Sequence, residues 1–402
     1  MSDPAAPGDK SNTLRRPKIE FFAHLLHFQK AGTVNLLLDP RGCNPGFWTR
    51  NGVVDTSKSQ LQGFLNEVLD RRPEFKSLRI GLADLSKDIN KPELVGHQLL
   101  KQGSIASTCK ISTMYAAHQL KLDLEEFGST FGAKNQKQLF EAARNNWALS
   151  QIDDPTAPST PLSSGTPKLV LQGSLVKKDS KKIKLVLAEP KLEEIFDVTS
   201  NGGLQIAFKK DFVKDLELMI PHSNNGAAHR CGTKLGFLFI NSALWQCDLF
   251  NANRGGGLWL GGSYGGTTWG AAPVSGSAAK QAGTPAAVVA FFVLVIQQQL
   301  VSEEASKSMF DLLNISSGQH PGGYGSFMVN ALAKKGRTGV ALSKVGIATA
   351  NHDCMAMSRV EGTTKLRYVC VAMDVPLGKE KMFEPLGVEL DNCIMKNNGL
   401  TP

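Results

Sequence analysis

The chain has 402 residues, 42% hydrophobic and 20% charged, so it can bury a substantial core and is not a disordered polymer. Its net charge of +9 is spread along the sequence apart from Lys177, Lys178, Lys181, Lys182 and Lys184. There is no helix-long basic stripe and no interleaved aromatics, so nucleic-acid binding is not expected. Seven cysteines without a C-x-x-C pair, and no H-E-x-x-H, leave no metal-site spacing and imply no cofactor.

Residues 1–12 are polar and carry Pro and Gly, the composition of a disordered tail that we extend to residue 17. Arg15-Arg16 resembles the start of a twin-arginine signal, but Lys18 and Glu20 interrupt the apolar stretch that should follow. A soluble, cytoplasmic chain is expected, periplasmic only if the start is mis-assigned. Scattered, unpaired cysteines fit a reducing compartment, and Cys109 alone lies inside a motif. Apolar spacing predicts helices over 18–30 and 59–69 and strands over 35–39 and 78–84. A further helix over 135–149 runs into a Pro/Ser/Thr-rich linker at 154–167. Residues 168–215 alternate short β-like runs (169–171, 183–187) with charge and read as an insertion. From 221 to 299 the chain is glycine-rich and expected to be mostly helical. The apolar segment 286–296 is too short to span a bilayer and reads as a buried helix. Runs at 345–357 and 365–373 predict an antiparallel hairpin, and 383–395 a helix packed back across it. Helices between N- and C-terminal strands give an α/β (α+β) fold with an antiparallel sheet. No internal repeat is present.

Ser107-Thr108-Cys109-Lys110 is the stretch that carries chemistry. One helical turn separates the serine from the lysine, so both side chains can share a face. A lysine desolvated there can lose its proton near neutral pH and activate the hydroxyl. Chance alone supplies roughly one or two S-x-x-K matches in a chain this long, so the motif needs support. The second match, Ser174 to Lys177, runs into the lysine cluster and reads as surface. After Lys110 come Ile111, Met114, Tyr115, Ala117, His118 and Leu120, the pattern of a buried helix.

Two more elements follow in order, Ser223-Asn224-Asn225 and Lys344-Val345-Gly346. S-x-x-K, then S-x-N, then K-x-G resembles the serine β-lactamase and penicillin-binding protein (D,D-peptidase) superfamily, nearest to class A β-lactamase-like serine hydrolases. The resemblance runs from about residue 76 to the C-terminus. It implies a β-lactamase/transpeptidase-like fold, one domain over 18–402 of two lobes, one all-helical, with the insertion at about 150–215. It also implies an acyl-enzyme at Ser107, with Lys110 as base or proton shuttle. Ser223 would relay a proton to the leaving group, Asn225 would orient substrate and lysine, and Lys344 would supply positive potential. The oxyanion hole would be the backbone N–H groups of Ser107 and Ile347, with Gly346 letting substrate approach an inner strand closely. The implied substrate is a small amide or ester, a β-lactam or peptide among them; the oligomeric state is open.

Two departures stand out. Val345 replaces the hydroxyl residue that helps the family bind a substrate carboxylate; Ser343 would face the other side of the strand. Between Asn225 and Gly270 there is no glutamate to activate a deacylating water, and Asp248 is the only acid. A catalytically degenerate member acting as a binding or scaffold protein is the alternative, and a basic surface for anionic polymers a third. Ordinary structural roles also fit each motif: a helix start for Ser107 and Lys110, a turn and cap for 223–225, a strand-edge lysine for Lys344. His222 is a candidate acid–base group or a surface histidine. The glycines at 255–266 contain no phosphate-loop register. Tyr324 and Ser326, in a glycine loop, are candidates for lining the cleft.

Overall fold

Alternation along the C-terminal strands builds the centre of the molecule. In the strand Thr364–Pro376, Val369, Val371 and Met373 turn to one core while Leu366, Tyr368, Cys370 and Ala372 turn to another. A strand buried on both faces has apolar residues on both parities, which is why its sequence reads as a continuous run. The computed structural model describes residues 59–146, 190–200, 203–251, 255–262, 264, 280–315 and 325–402.

In chain order, helix α1 (Gln60–Arg71) leads to strands β1 (Arg79–Asp84), β2 (Glu93–His97) and β3 (Gly103–Ser104). A 3-10 turn, Ala106–Cys109, enters the long helix α2 (Lys110–Phe131), and α3 (Gln136–Asn146) follows. A hairpin of β4 (Phe196–Thr199) and β5 (Gln205–Phe208) precedes α4 (Lys210–Met219), α5 (Asn225–Leu235) and α6 (Phe237–Gln246). Short strands β6 (Phe250–Asn251), β7 (Gly256–Gly257), β8 (Trp259–Leu260) and β9 (Gln281–Gly283) come before α7 (Pro285–Ile296) and α8 (Glu303–Leu313). The chain ends with α9 (Phe327–Lys334), β10 (Val340–Ser343), β11 (Gly346–Ile347), β12 (Ala350–Glu361), β13 (Thr364–Pro376) and α10 (Pro385–Asn397).

The main sheet is antiparallel throughout, ordered β10-β12-β13-β1-β2, with β11 also on β12. N- and C-terminal strands therefore close one sheet, as expected. On one face α1, α9 and α10 bury Leu61, Leu65, Met328, Leu386 and Leu390 against it. On the other lies α7, buried from Pro285 to Val295, which is the apolar segment the sequence marks as an internal helix. It can lie this close because β1 presents Gly81, where a Cβ would come within 2.8 Å of Val289. Helices α2 to α6 and α8 form the second lobe, into whose core Phe196, Phe208 and Phe212 stack.

The expected helix at 59–69, the strand at 78–84 and the final helix are all present. The helix expected over 135–149 is present as Gln136–Asn146, with 147–149 outside the described residues. Two expectations need correction. The run 345–357 is not one strand: Ala348 N–H reaches the Ala350 carbonyl, so β11 folds back on the start of β12. The apolar pattern is the same on both sides of such a tight turn, so periodicity does not reveal it. Among the described residues between α6 and α7 the chain forms four short strands, not helix, because its glycines favour turns and close backbone approach. The elements expected at 18–30, 35–39, 154–167, 169–171 and 183–187, and Ser174, Lys177 and Tyr324, lie outside the described residues. Among the described residues no helix is long and apolar enough to cross a membrane.

Candidate active site

The candidate site is built where the first turn of α2 meets the start of α5 and the strand β11. Ser107 lies in the 3-10 turn, not in the helix proper, and is half-buried, whereas Lys110 begins α2 and is fully buried. Ala106, immediately before the serine, has φ +46°, a left-handed conformation that costs an alanine of order 1 kcal/mol or more. The turn is held from below. Ile105 N–H donates to the Gln281 carbonyl at 2.9 Å. The buried Arg79 guanidinium donates to the carbonyls of Ser104 and Gly283, both at 2.8 Å, while ion-paired to Asp374.

Ser223 also has a left-handed backbone, φ +51°. The residue after it, Asn224, is the N-cap of α5, its side chain accepting from Ala227 N–H at 2.8 Å. The structural role expected of the whole motif thus falls on its middle residue, and the flanking Ser223 and Asn225 face the lysines. Lys110 Nζ donates to Asn225 Oδ1 at 2.8 Å, to Ser223 Oγ at 3.2 Å and to the Ser223 carbonyl. Lys344 Nζ donates to the same Ser223 Oγ at 2.8 Å and to its neighbour's carbonyl, Val345 O, at 3.0 Å. Among the described residues the Ser107 hydroxyl makes no hydrogen bond, and neither lysine has a carboxylate partner.

Burial without a counter-charge destabilises an ammonium. Burial, followed by the nearby charge of Lys344, lowers Lys110 to about 7. Burial lowers Lys344 to about 8. Cys109, inside the motif, moves the other way: burial pushes its thiol up to about 12, and its Sγ points at the Trp259 carbonyl. It is a packing residue, not a nucleophile.

Lys344 lies between β10 and β11, on the sheet edge and not on the inner strand that the resemblance implies. Here β10 and β11 together act as an interrupted edge strand on β12. Lys344 N–H reaches Cys354 O, and Ala348 N–H reaches Ala350 O. In an antiparallel ladder the hydrogen-bonded pairs alternate, so the intervening pair Ile347–Asn351 turns the Ile347 N–H away from β12, off the edge. Gly346 packs directly on the serine turn, where a Cβ would fall 2.3 Å from Ile105 O and 2.8 Å from Thr108 N. The Ile347 side chain is 45% exposed and Val345 only 4%.

The structure therefore brings together Lys110, Ser223, Asn225 and Lys344 and sets Gly346 against the turn that carries Ser107. His222 is exposed beside them. Ser326 is not part of the cleft: it is buried, caps α9 and donates to Asp353. Tyr264, passed over in the sequence, is part of the site, its ring 4.8 Å from Lys110 Nζ. The signal was an aromatic residue between glycine pairs, Gly261-Gly262 and Gly265-Gly266.

No family model matches the chain, and no curated protein does. Solved structures do resemble it. A β-lactamase from Sphaerobacter thermophilus DSM 20745 is 11% identical, covering 85% of this chain and 98% of its own at a TM-score of 0.43. A class A β-lactamase from Mycobacterium abscessus is 13% identical, with coverages of 82% and 97% and a TM-score of 0.44. The structure of PBP-A is 12% identical, with coverages of 84% and 97% and a TM-score of 0.45.

Proposed function

We propose that this chain is a serine hydrolase of the β-lactamase/D,D-peptidase type that forms an acyl-enzyme at Ser107 from a small amide or ester. One observation carries the reading: two desolvated lysines from distant parts of the sequence meet on the Ser223 hydroxyl, one turn from a half-exposed serine. A salt-bridged surface lysine has no such arrangement, and neither lysine here has a carboxylate among the described residues.

In this mechanism neutral Lys110 accepts the Ser107 proton as Oγ attacks the carbonyl carbon. The negative charge that forms on the carbonyl oxygen is met by the N–H groups of Ser107 and Ile347, a preorganised pair of donors. Lys110 then passes its proton through Ser223 to the leaving nitrogen or oxygen, and the acyl group stays on Ser107. Lys344, still charged, stabilises the developing anion. Asn225 holds Lys110 in line, and Gly346 keeps the strand close to the serine turn. The fold serves this as one domain of two lobes, with the cleft between the sheet edge and the helical lobe.

Intact mass after incubation of wild type and Ser107→Ala with a fluorophosphonate and, separately, a penicillin tests the proposal. An adduct on wild type alone supports an activated Ser107. The second reading, a binding or scaffold protein, is favoured by the unbonded Ser107 hydroxyl and gains if neither reagent leaves an adduct.

A further inference from the structure

Lys110 is held by the neutral oxygens of Ser223 and Asn225 and repelled by Lys344. Its Nζ also stands over the face of Tyr264, with the ring centroid 4.8 Å away. The segment from Gly226 to Ser302 contains one acid, Asp248, and that side chain is buried at the end of α6. The segment thus offers Lys110 an aromatic ring and no exposed carboxylate. The Tyr264 hydroxyl is buried and has no partner among the described residues, and burial holds its proton on well above the usual phenol range. Tyr264 is therefore neither a base nor an anion here; what it offers Lys110 is the negative face of its ring.

We propose that Tyr264 is a positioning residue for the reaction: its ring is the cation partner of Lys110 and stabilises the charged form of that lysine. This rests on the acyl-enzyme reading of the site. Without the ring, only the oxygens of Ser223 and Asn225 would oppose burial and Lys344, and Lys110 would lose its proton at lower pH and become a weaker base. Among the described residues the other titratable groups near Lys110 are Lys344 before β11, Cys109 on its own turn and the exposed His222 ahead of α5. Lys344 is the only one of these whose charge shifts Lys110.

The test is direct titration of Lys110 by NMR of full-length protein carrying ¹³C-labelled lysine, with the resonance assigned through Lys110→Arg. Tyr264→Phe should titrate as wild type does. Tyr264→Leu and Tyr264→Met, which keep the site apolar but remove the ring, should titrate about one pH unit lower. If both non-aromatic variants fail to fold, pentafluorophenylalanine at 264 keeps the shape and reverses the ring's field, and should give the same downward shift. Identical titration in all variants, or a rise in Tyr264→Leu, would overturn the proposal. Ser107 labelling measured on the same samples separates the two ideas. Labelling with unchanged titration removes the role of the ring alone. A shifted titration without labelling removes the acyl-enzyme and leaves the ring as Lys110's partner.

Discussion

Lys110 and Lys344 share a single hydrogen-bond acceptor, the hydroxyl of Ser223, at 3.2 and 2.8 Å. Two ammonium groups on one oxygen repel each other, and with both buried the proton is held least firmly on Lys110. In the acyl-enzyme reading proposed above, that ordering makes Lys110 the group that yields a neutral amine first as pH rises, and leaves Lys344 to supply charge.

Replacing Lys110 by Met should leave the fold intact and slow Ser107 acylation by about 10²–10⁴, the usual contribution of a positioned base. Stopped-flow or mass-resolved labelling with a fluorophosphonate reads this. A rate equal to wild type would mean that Lys110 is not the base.

The acylation rate should be bell-shaped in pH. It should rise as Lys110 loses its proton near 7 and fall as Lys344 loses its own near 8. Lys344→Arg should abolish the alkaline fall, since a guanidinium does not deprotonate in that range. A pH–rate profile of both proteins, using a reagent stable from pH 5 to 10, checks the two limbs separately.

Gly346 has no room for a side chain, with Ile105 O 2.3 Å from where its Cβ would be. Gly346→Val should push β11 off the serine turn, costing about 1–3 kcal/mol of stability. Labelling should fall further than the stability loss explains. Urea titration and labelling of the same samples separate the two effects.

Val345→Thr should raise the penicillin labelling rate and leave the fluorophosphonate rate unchanged, because the second reagent has no carboxylate. Parallel rates for both reagents check it. An equal change in both would place the effect on the serine and not on carboxylate recognition.

Some of the candidate site is legible in the sequence alone. Ser107, Lys110, Ser223, Asn225 and Lys344 stand out as residue types in a fixed order, and the hairpin of β12 and β13 is written in their apolar runs. What stayed hidden was which member of each motif faces inward. Asn224, and not Ser223, caps α5, because only the middle residue is placed to reach the Ala227 N–H. Tyr264 was invisible because its importance lies in a ring stacking over a residue remote in sequence, and local pattern holds no record of such contacts. Arg79 was missed for the same reason: its partners are backbone carbonyls and Asp374, all remote in sequence.

The sequence by itself determined the strand at 78–84, the long C-terminal strand and the order of the three motifs, because period-2 and helical spacing are local properties of the chain. Only the tertiary structure decided that the two lysines meet on one hydroxyl and that the Ile347 N–H turns off the sheet edge. It also decided that an aromatic face stands beside Lys110, where no acid among the described residues does. Proton affinity depends on burial and on charges brought near through space, and those are fixed when the chain packs.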